Sequence, residues 1–360
     1  MAVTPHIDAA DEEVAAVVDD LLTDRQVLGG SCDGSPDLAD ALWRDLEHLE
    51  LTRVGVSEDR GGSGGSVSNL LTVVRVAAHH GAPLPLAESY LADALLASAM
   101  LPGVEAGFAT TLSMPLRVDG SMPISLPSTP WGERAARAVV LLRDPDGQWQ
   151  VGHVDPRQCS VLPGRNLAGE PVADLTFAAT EAARAPMGSD PGEWWWLGAL
   201  CRTAQITGAL ESTLLMTRRY VSERVQFGKP IGSFQAVQRH IVDLAEAAQM
   251  ASMALRCATE AWLCGASHRT FEVCAAKLVA NEAARDGARA AHQAHGAMGM
   301  TREYPLHRLT SRLAHWQFDF GTEKQLASSL GAATHGAESF SHAISDYENH
   351  LEVPCPVTSP

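Results

Sequence analysis

The densest chemistry in the chain lies in residues 219–235, Arg-Tyr-Val-Ser-Glu-Arg-Val-Gln-Phe-Gly-Lys-Pro-Ile-Gly-Ser-Phe-Gln. A cation (Arg224), an amide (Gln226) and an aromatic ring (Phe227) stand together ahead of the forced break Gly228-Lys229-Pro230. Gln235 then opens what the apolar spacing predicts to be a new helix. A guanidinium pairs bidentately with phosphate, and an aromatic ring covers an adenine or flavin. The combination suits a nucleotide diphosphate. A second polar segment, Gln293-Ala-His-Gly296, sets an amide beside a glycine that permits close backbone approach. His292 and His295 stand three apart with no nearby carboxylate ligand. They read as packed or exposed histidines, and no metal is expected.

The surroundings limit what such a site serves. The chain has 360 residues, 46% of them hydrophobic, enough for a large core and two or three domains. Aromatics are sparse and alanine is abundant, so a mostly helical protein is expected. With 27 basic and 43 acidic residues the net charge is −16, which argues against nucleic acid as a partner. An anionic coenzyme needs a local basic cluster, and Arg218, Arg219, Arg224 and Lys229 supply one. The start is acidic and lacks an apolar signal core, and no apolar run reaches membrane-spanning length. No membrane insertion is expected. The cysteines at 32, 159, 201, 257, 264, 274 and 355 fit no zinc spacing. They read as reduced thiols of a cytoplasmic protein, mostly packing groups.

Several elements must position these residues. Amphipathic helices are expected over 8–24, 37–49, 66–80 and 87–100, with the glycine-rich loop 56–65 between the second and third. From about 106 the character changes to short strand-like runs at 139–142, 149–151 and 175–177, around the turn Asp144-Pro-Asp-Gly147. That predicts a small, mainly antiparallel β-domain, followed by a linker at 186–192. Apolar stripes stepping by three and four then run through 210–221, 237–255 and 273–290. With a further helix from about 322 to 346 they predict a four-helix bundle. The domain reading is 1–105 helical, 106–185 β and 186–350 bundle, with a flexible tail at 351–360.

The order of helical domain, β-domain and bundle, with three motifs set along it, resembles the acyl-CoA dehydrogenases, flavoenzymes that desaturate acyl thioesters. Residues 56–64 are similar to that family's "vPeexGGxG" loop, and 219–235 to its "RxQFGKPIxxFQ" signature. Residues 293–303 are similar to "QxxGGxGxxxE". The resemblance covers about 40–340 and is poorest in the β-domain. It implies FAD lying between subunits, with Arg224, Gln226, Phe227, Gln293 and Gly296 reaching the cofactor bound mainly by a neighbour. Gln235 matches another cofactor-contacting position. Ala297 departs from the pattern, standing where the family prefers a second glycine.

The same resemblance exposes losses. The reaction needs a base for the thioester α-proton, in most relatives a glutamate directly before Gly-Thr. Here Gly321 and Thr322 match, but the base position is Phe320, and a phenyl ring accepts no proton. Thr322 keeps a cofactor-side position by this match. Some relatives carry the base on the first bundle helix; the region at 197–200 has no carboxylate, and Glu193 and Glu211 are displaced by a turn or more. Asp319 is the one adjacent candidate base, weighed against a salt-bridged aspartate. The "TEpxxGSD" loop and the "WIT" strand are missing, with Trp131 as the stand-in for that tryptophan.

This pattern resembles the short, non-base subunit of the heteromeric acyl-CoA dehydrogenases that actinobacteria use on steroid side chains and other bulky acyl-CoA substrates. It implies an α2β2 assembly with a base-bearing partner, acyl-CoA as substrate, and reoxidation by an electron-transferring flavoprotein. Two alternatives stay open: a self-sufficient homo-oligomer using Asp319, and a flavin-free scaffold that keeps the fold.

Overall fold

The computed structural model describes residues 9–28, 36–104, 106–118, 123–178 and 182–335, with the single residues 339 and 344. Four helices come first: α1 (Ala9–Asp24), α2 (Pro36–His48), α3 (Val67–His79) and α4 (Leu86–Ser98). Their bounds match the expected ones within two residues. Ser66 and Asn69 form a reciprocal capping box that starts α3 after the glycine-rich loop. Asp11 ties α1 to that start, accepting from Ser68 Oγ at 2.6 Å and Asn69 Nδ2 at 2.8 Å.

The β-region holds β1 (Ala109–Thr111), β2 (Leu116–Arg117), β3 (Ile124–Pro130) and β4 (Arg137–Arg143), then β5 (Trp149–Val154), β6 (Ser160–Arg165), β7 (Pro171–Phe177) and β8 (Ala183–Pro186). One sheet runs β1-β4-β5-β8 with β2 also on β4; the other runs β3-β7-β6. Pairing is antiparallel except that β1 and β2 run parallel to β4. The unbroken apolar run of β4 has a physical reason. Ala138, Val140 and Leu142 face the core between the sheets, while Val139 and Leu141 face the helical core.

Asp190 caps the long α5 (Pro191–Glu223), accepting from Gly192 N at 3.0 Å, so the expected linker is short. A two-stranded hairpin follows, β9 (Val225–Gln226) with β10 (Lys229–Pro230), then α6 (Gln235–Leu263) and α7 (Arg269–His295). α5 is buried on nearly every side from Trp194 to Leu210. It crosses α3 at Gly208, where a Cβ would lie 2.0 Å from the Arg75 carbonyl oxygen. The α7 stripe Val273, Ala276, Ala280, Ala283, Gly287 and Ala290 is buried throughout, as its spacing predicts. The expected fourth bundle helix begins as expected, as α9 (Glu323–His335), and is preceded by a helix that the sequence reading did not include, α8 (Leu306–Trp316). The chain breaks between them at Phe320 (φ 52°) and Gly321 (φ 112°). The rest of that expectation and the expected flexible tail lie outside the described residues. Cys201 and Cys274 are buried packing groups, whereas Cys257 and Cys264 are exposed; Cys32 and Cys355 lie outside the described residues.

Candidate functional site

The 219–235 motif forms an arm at the C-terminal end of α5. Arg224 leaves the helix in an extended conformation (φ −73°, ψ 116°). Gln226 then pairs across the hairpin with Lys229. Phe227 (φ 51°) and Gly228 (φ 77°) make the two-residue turn that the right-handed strand twist favours. Ile231 N donates to Arg224 O at 2.8 Å and closes the base of the arm. Residues 222–230 are all exposed. Phe227 is 92% exposed, an extreme value for a phenylalanine, with only its edge against Phe234 at 6.0 Å. Lys229 Nζ sits 4.4 Å from the Phe234 ring centre, a cation–π contact that stiffens the hairpin.

Arg224 has no side-chain partner among the described residues. The two carboxylates that could neutralise it are taken: Glu223 pairs with Arg219 at 2.9 Å, and Glu211 with Arg75 at 3.0 Å. Gln235, the first residue of α6, is exposed. Gln293 is exposed in the last turn of α7, and Gly296 follows with φ 60° and ψ −140°, open around its Cα. That backbone region is accessible to glycine and little else. The two segments meet through a ring stack. Tyr220 lies on His295 at 4.4 Å, Tyr304 closes on both rings, and Tyr220 Oη donates to His295 O at 3.4 Å. His295 Nδ1 bonds Ala291 O at 2.8 Å, and burial lowers its pKa. His292 Nε2 meets Thr310 Oγ1 at 3.0 Å. The histidines are thus packing groups, and no cluster of metal-ligating residues occurs among the described residues. Arg224, Gln226, Phe227, Gln235, Gln293 and Gly296 therefore share one end of the bundle, all presented outward.

The loop 319–322 is elsewhere. Asn281 Nδ2 donates to Gly321 O at 3.1 Å, and Asn281 lies about 20 Å along α7 from Gly296 at 1.5 Å per residue. Thr322 is therefore not gathered with the arm; its hydroxyl and amide meet Gln325 Oε1 at 2.8 and 2.9 Å, capping α9. Phe320 is buried, its ring edge-on to Trp194 at 5.6 Å and Trp195 at 6.4 Å. It closes directly on Gly198, where a Cβ would lie 2.3 Å from the ring. The two positions from which relatives supply a base, 320 and 197–200, thus face each other here, and both are apolar.

Asp319 belongs to a buried ionic network. Arg202, 2% exposed, donates to Asp319 Oδ2 at 3.0 Å, Glu88 Oε1 at 2.6 Å and Gln205 Oε1 at 2.5 Å. Burial opposes the Arg202 charge, but the two carboxylates outweigh it and raise its pKa. Cys201, beside it, is a thiol that burial pushes up to about 12. Lys277 is fully buried under the same loop, bonding Asn281 Oδ1 at 2.5 Å and Trp316 O at 3.0 Å, and burial pushes its pKa down to about 7. Sequence spacing did not reveal this network. Its signal was an arginine and a glutamate inside the otherwise apolar runs 194–210 and 84–96.

Comparison with known proteins now decides the family. The chain matches the family described as "Acyl-CoA dehydrogenase, C-terminal domain" over residues 197–333. It is 30% identical over 269 residues to acyl-CoA dehydrogenase IpdE2 of Mycobacterium tuberculosis, covering 74% of this chain and 78% of that protein. This protein is an acyl-CoA dehydrogenase family member. The dehydrogenase is also 28% identical over 337 residues to acyl-CoA dehydrogenase FadE27 of the same organism, covering 81% and 85% of the two chains. Its fold is that of a chain in the ChsE4-ChsE5 complex from Mycobacterium tuberculosis (TM-score 0.79, 22% identity, 94% and 100% coverage). The Tcur3481-Tcur3483 steroid ACAD variant is similar in the same degree (TM-score 0.79, 23% identity, 91% and 99% coverage).

An FAD fits this dehydrogenase unevenly. At the arm, an unneutralised guanidinium, three exposed amides, an exposed aromatic face and an open glycine are the set of groups a dinucleotide needs. Beneath Trp131, where the helical, β and bundle regions meet, the space is closed. The cavity among Ala78, Leu84, Trp131, Glu170, Gln205 and Trp316 holds about 20 Å³, against the several hundred that ligand sites enclose. Trp131 itself is buried against Phe108 at 6.5 Å.

Proposed function

We propose that this dehydrogenase chain is the base-lacking subunit of a heteromeric, FAD-dependent acyl-CoA dehydrogenase. It completes a flavin site held mainly by a base-bearing partner in an α2β2 assembly. One contrast carries the reading: the Phe320 ring is sealed onto Gly198, while Arg224 has no side-chain partner among the described residues and the Phe227 ring is almost wholly exposed. A chain serving only itself gains nothing from an exposed phenylalanine and an unneutralised arginine.

In this reading Arg224 neutralises the pyrophosphate, Phe227 covers an aromatic ring, and Gln226, Gln235 and Gln293 orient polar edges. Gly296 lets the cofactor approach the backbone. FAD, when bound, supplies the acceptor for the substrate's β-hydride. The base for the α-proton comes from the partner, because Phe320 carries none. Exposed Leu215, Val225, Met298 and Met300 extend the arm into an apolar contact surface for that partner. The ChsE4-ChsE5 complex among the fold relatives supports pairing, and the Tcur3481-Tcur3483 steroid ACAD supports a bulky, steroid-derived acyl-CoA. Reoxidation by an electron-transferring flavoprotein and a cytoplasmic location complete the reading.

The Arg202–Asp319 ion pair weighs against Asp319 as a self-sufficient base, since its acceptor oxygen is already engaged. The exposed arm weighs against a flavin-free scaffold. Co-expression with a genomically neighbouring, glutamate-bearing homologue tests the proposal. Flavin absorbance and acyl-CoA oxidation by an artificial acceptor are expected only in the paired preparation. Flavin in neither preparation refutes it.

A further inference from the structure

A second concave site lies apart from the arm, where α3–α4, the β6–β7 turn and the start of α8 come together. It encloses about 430 Å³, within the size range of small-molecule sites. Arg165, Arg302, His307 and Arg312 line it, on a chain whose net charge is −16. Overall negative charge repels anions, so a concave surface rich in arginine is a local reversal of the field.

The cations are not all spoken for. Glu170 is the single carboxylate lining the cleft among the described residues, and it is engaged by Arg312 Nε at 2.8 Å and Asn166 Nδ2 at 3.2 Å. Arg165 donates to the Gly169 carbonyl oxygen at 2.6 Å and has no carboxylate partner among the described residues. Arg302 is exposed and makes no hydrogen bond or ion pair among them. His307 bonds Tyr304 O through Nδ1 at 3.0 Å, leaving Nε2 available. It sits in the first turn of α8, whose N-terminus at Pro305 has no side-chain cap, so the positive end of the helix dipole adds to the field. Val27, Pro83 and Leu167 supply apolar wall.

We propose that this cleft binds the phosphate of an organic phosphomonoester of about nucleotide size. Two unneutralised guanidinium groups on separate elements match a dianion, and a phosphomonoester carries about −1.5 to −2 at neutral pH. Guanidinium forks also fit its oxygens bidentately. The apolar wall and the volume exceed what an inorganic ion needs. The arm is a different surface: Arg224, Phe227 and Gln293 do not line the cleft.

Calorimetric titration of the full chain, alone and with its co-purified partner, tests this with AMP, adenosine and inorganic phosphate as probes. AMP is expected to bind and adenosine not to. An Arg165→Gln, Arg302→Gln double variant, both positions exposed and safe for folding, is expected to weaken AMP by about tenfold or more. Arg224→Gln is expected to leave it unchanged, which separates this cleft from the flavin reading. No AMP binding, an equal loss in Arg224→Gln, or no loss in the double variant overturns the site. Inorganic phosphate binding as tightly as AMP overturns its assignment to an organic ligand.

Discussion

Asp319→Asn separates a structural carboxylate from a catalytic one. Asp319 is one of two carboxylates holding Arg202, a guanidinium 2% exposed; Glu88 at 2.6 Å is the other. The amide keeps the shape but loses the charge. Leaving a buried ion without any partner costs about 3–5 kcal/mol. Glu88 remains, so the loss is closer to that of one charge-assisted hydrogen bond, about 1.5–3 kcal/mol. We expect a destabilisation of about 2 kcal/mol, read as a lower urea midpoint by helical circular dichroism. The kcat of the variant assembled with the proposed base-bearing partner is expected to match that of the unmodified pair. If Asp319 were the base, the ordering would invert. Loss of general base catalysis lowers kcat by about 10²–10⁴, with little change in the midpoint. A kcat loss of that size at unchanged stability refutes the structural role given to Asp319.

Other outcomes follow from the same geometry. Phe227→Ala is expected to leave the stability of the isolated chain unchanged, since the ring is 92% exposed, while lowering flavin retention by the pair; thermal melts and absorbance check both. Gly198→Ala forces a methyl to within 2.3 Å of the Phe320 ring and should destabilise by about 1–3 kcal/mol or more, measured by urea unfolding. Lys277 has its pKa lowered by burial from 10.5 to about 7, so the fold keeps the amine neutral where the unfolded chain protonates it. Stability should therefore rise with pH between about 7 and 10.5 and lack that added slope in Lys277→Met, as urea midpoints across the range will show.

Local signals made much of the fold legible. Three-four apolar spacing and the break at 81–85 placed α1–α4 within two residues and the stripe of α7 as it is buried, whereas α5 begins well before its displayed stripe because it is buried on nearly every side from Trp194 to Leu210. The arm was legible because cation, amide, aromatic and turn residues are consecutive. The start of α9 was legible, but α8 before it was not, and the turn between them rests on the positive φ of Phe320, a residue type that does not announce such a backbone. Nor was the parallel pairing of β1 and β2 with β4, which depends on contacts distant in sequence. Phe320 was read as a missing base, but its fit onto Gly198 between Trp194 and Trp195 required three segments to be brought together. The same holds for Arg202 with Glu88 and Asp319, joined across more than a hundred residues.

The central claim is that this chain lends its arm to a flavin it does not hold alone. The most direct measurement is the flavin content of the pair purified with an Arg224→Gln, Phe227→Ala arm, beside the unmodified pair and the isolated chain. The account predicts flavin in the unmodified pair, none in the isolated chain, and sharply reduced flavin in the arm variant with the two subunits still associated. Flavin bound by the isolated chain, or undiminished in the arm variant, would contradict it.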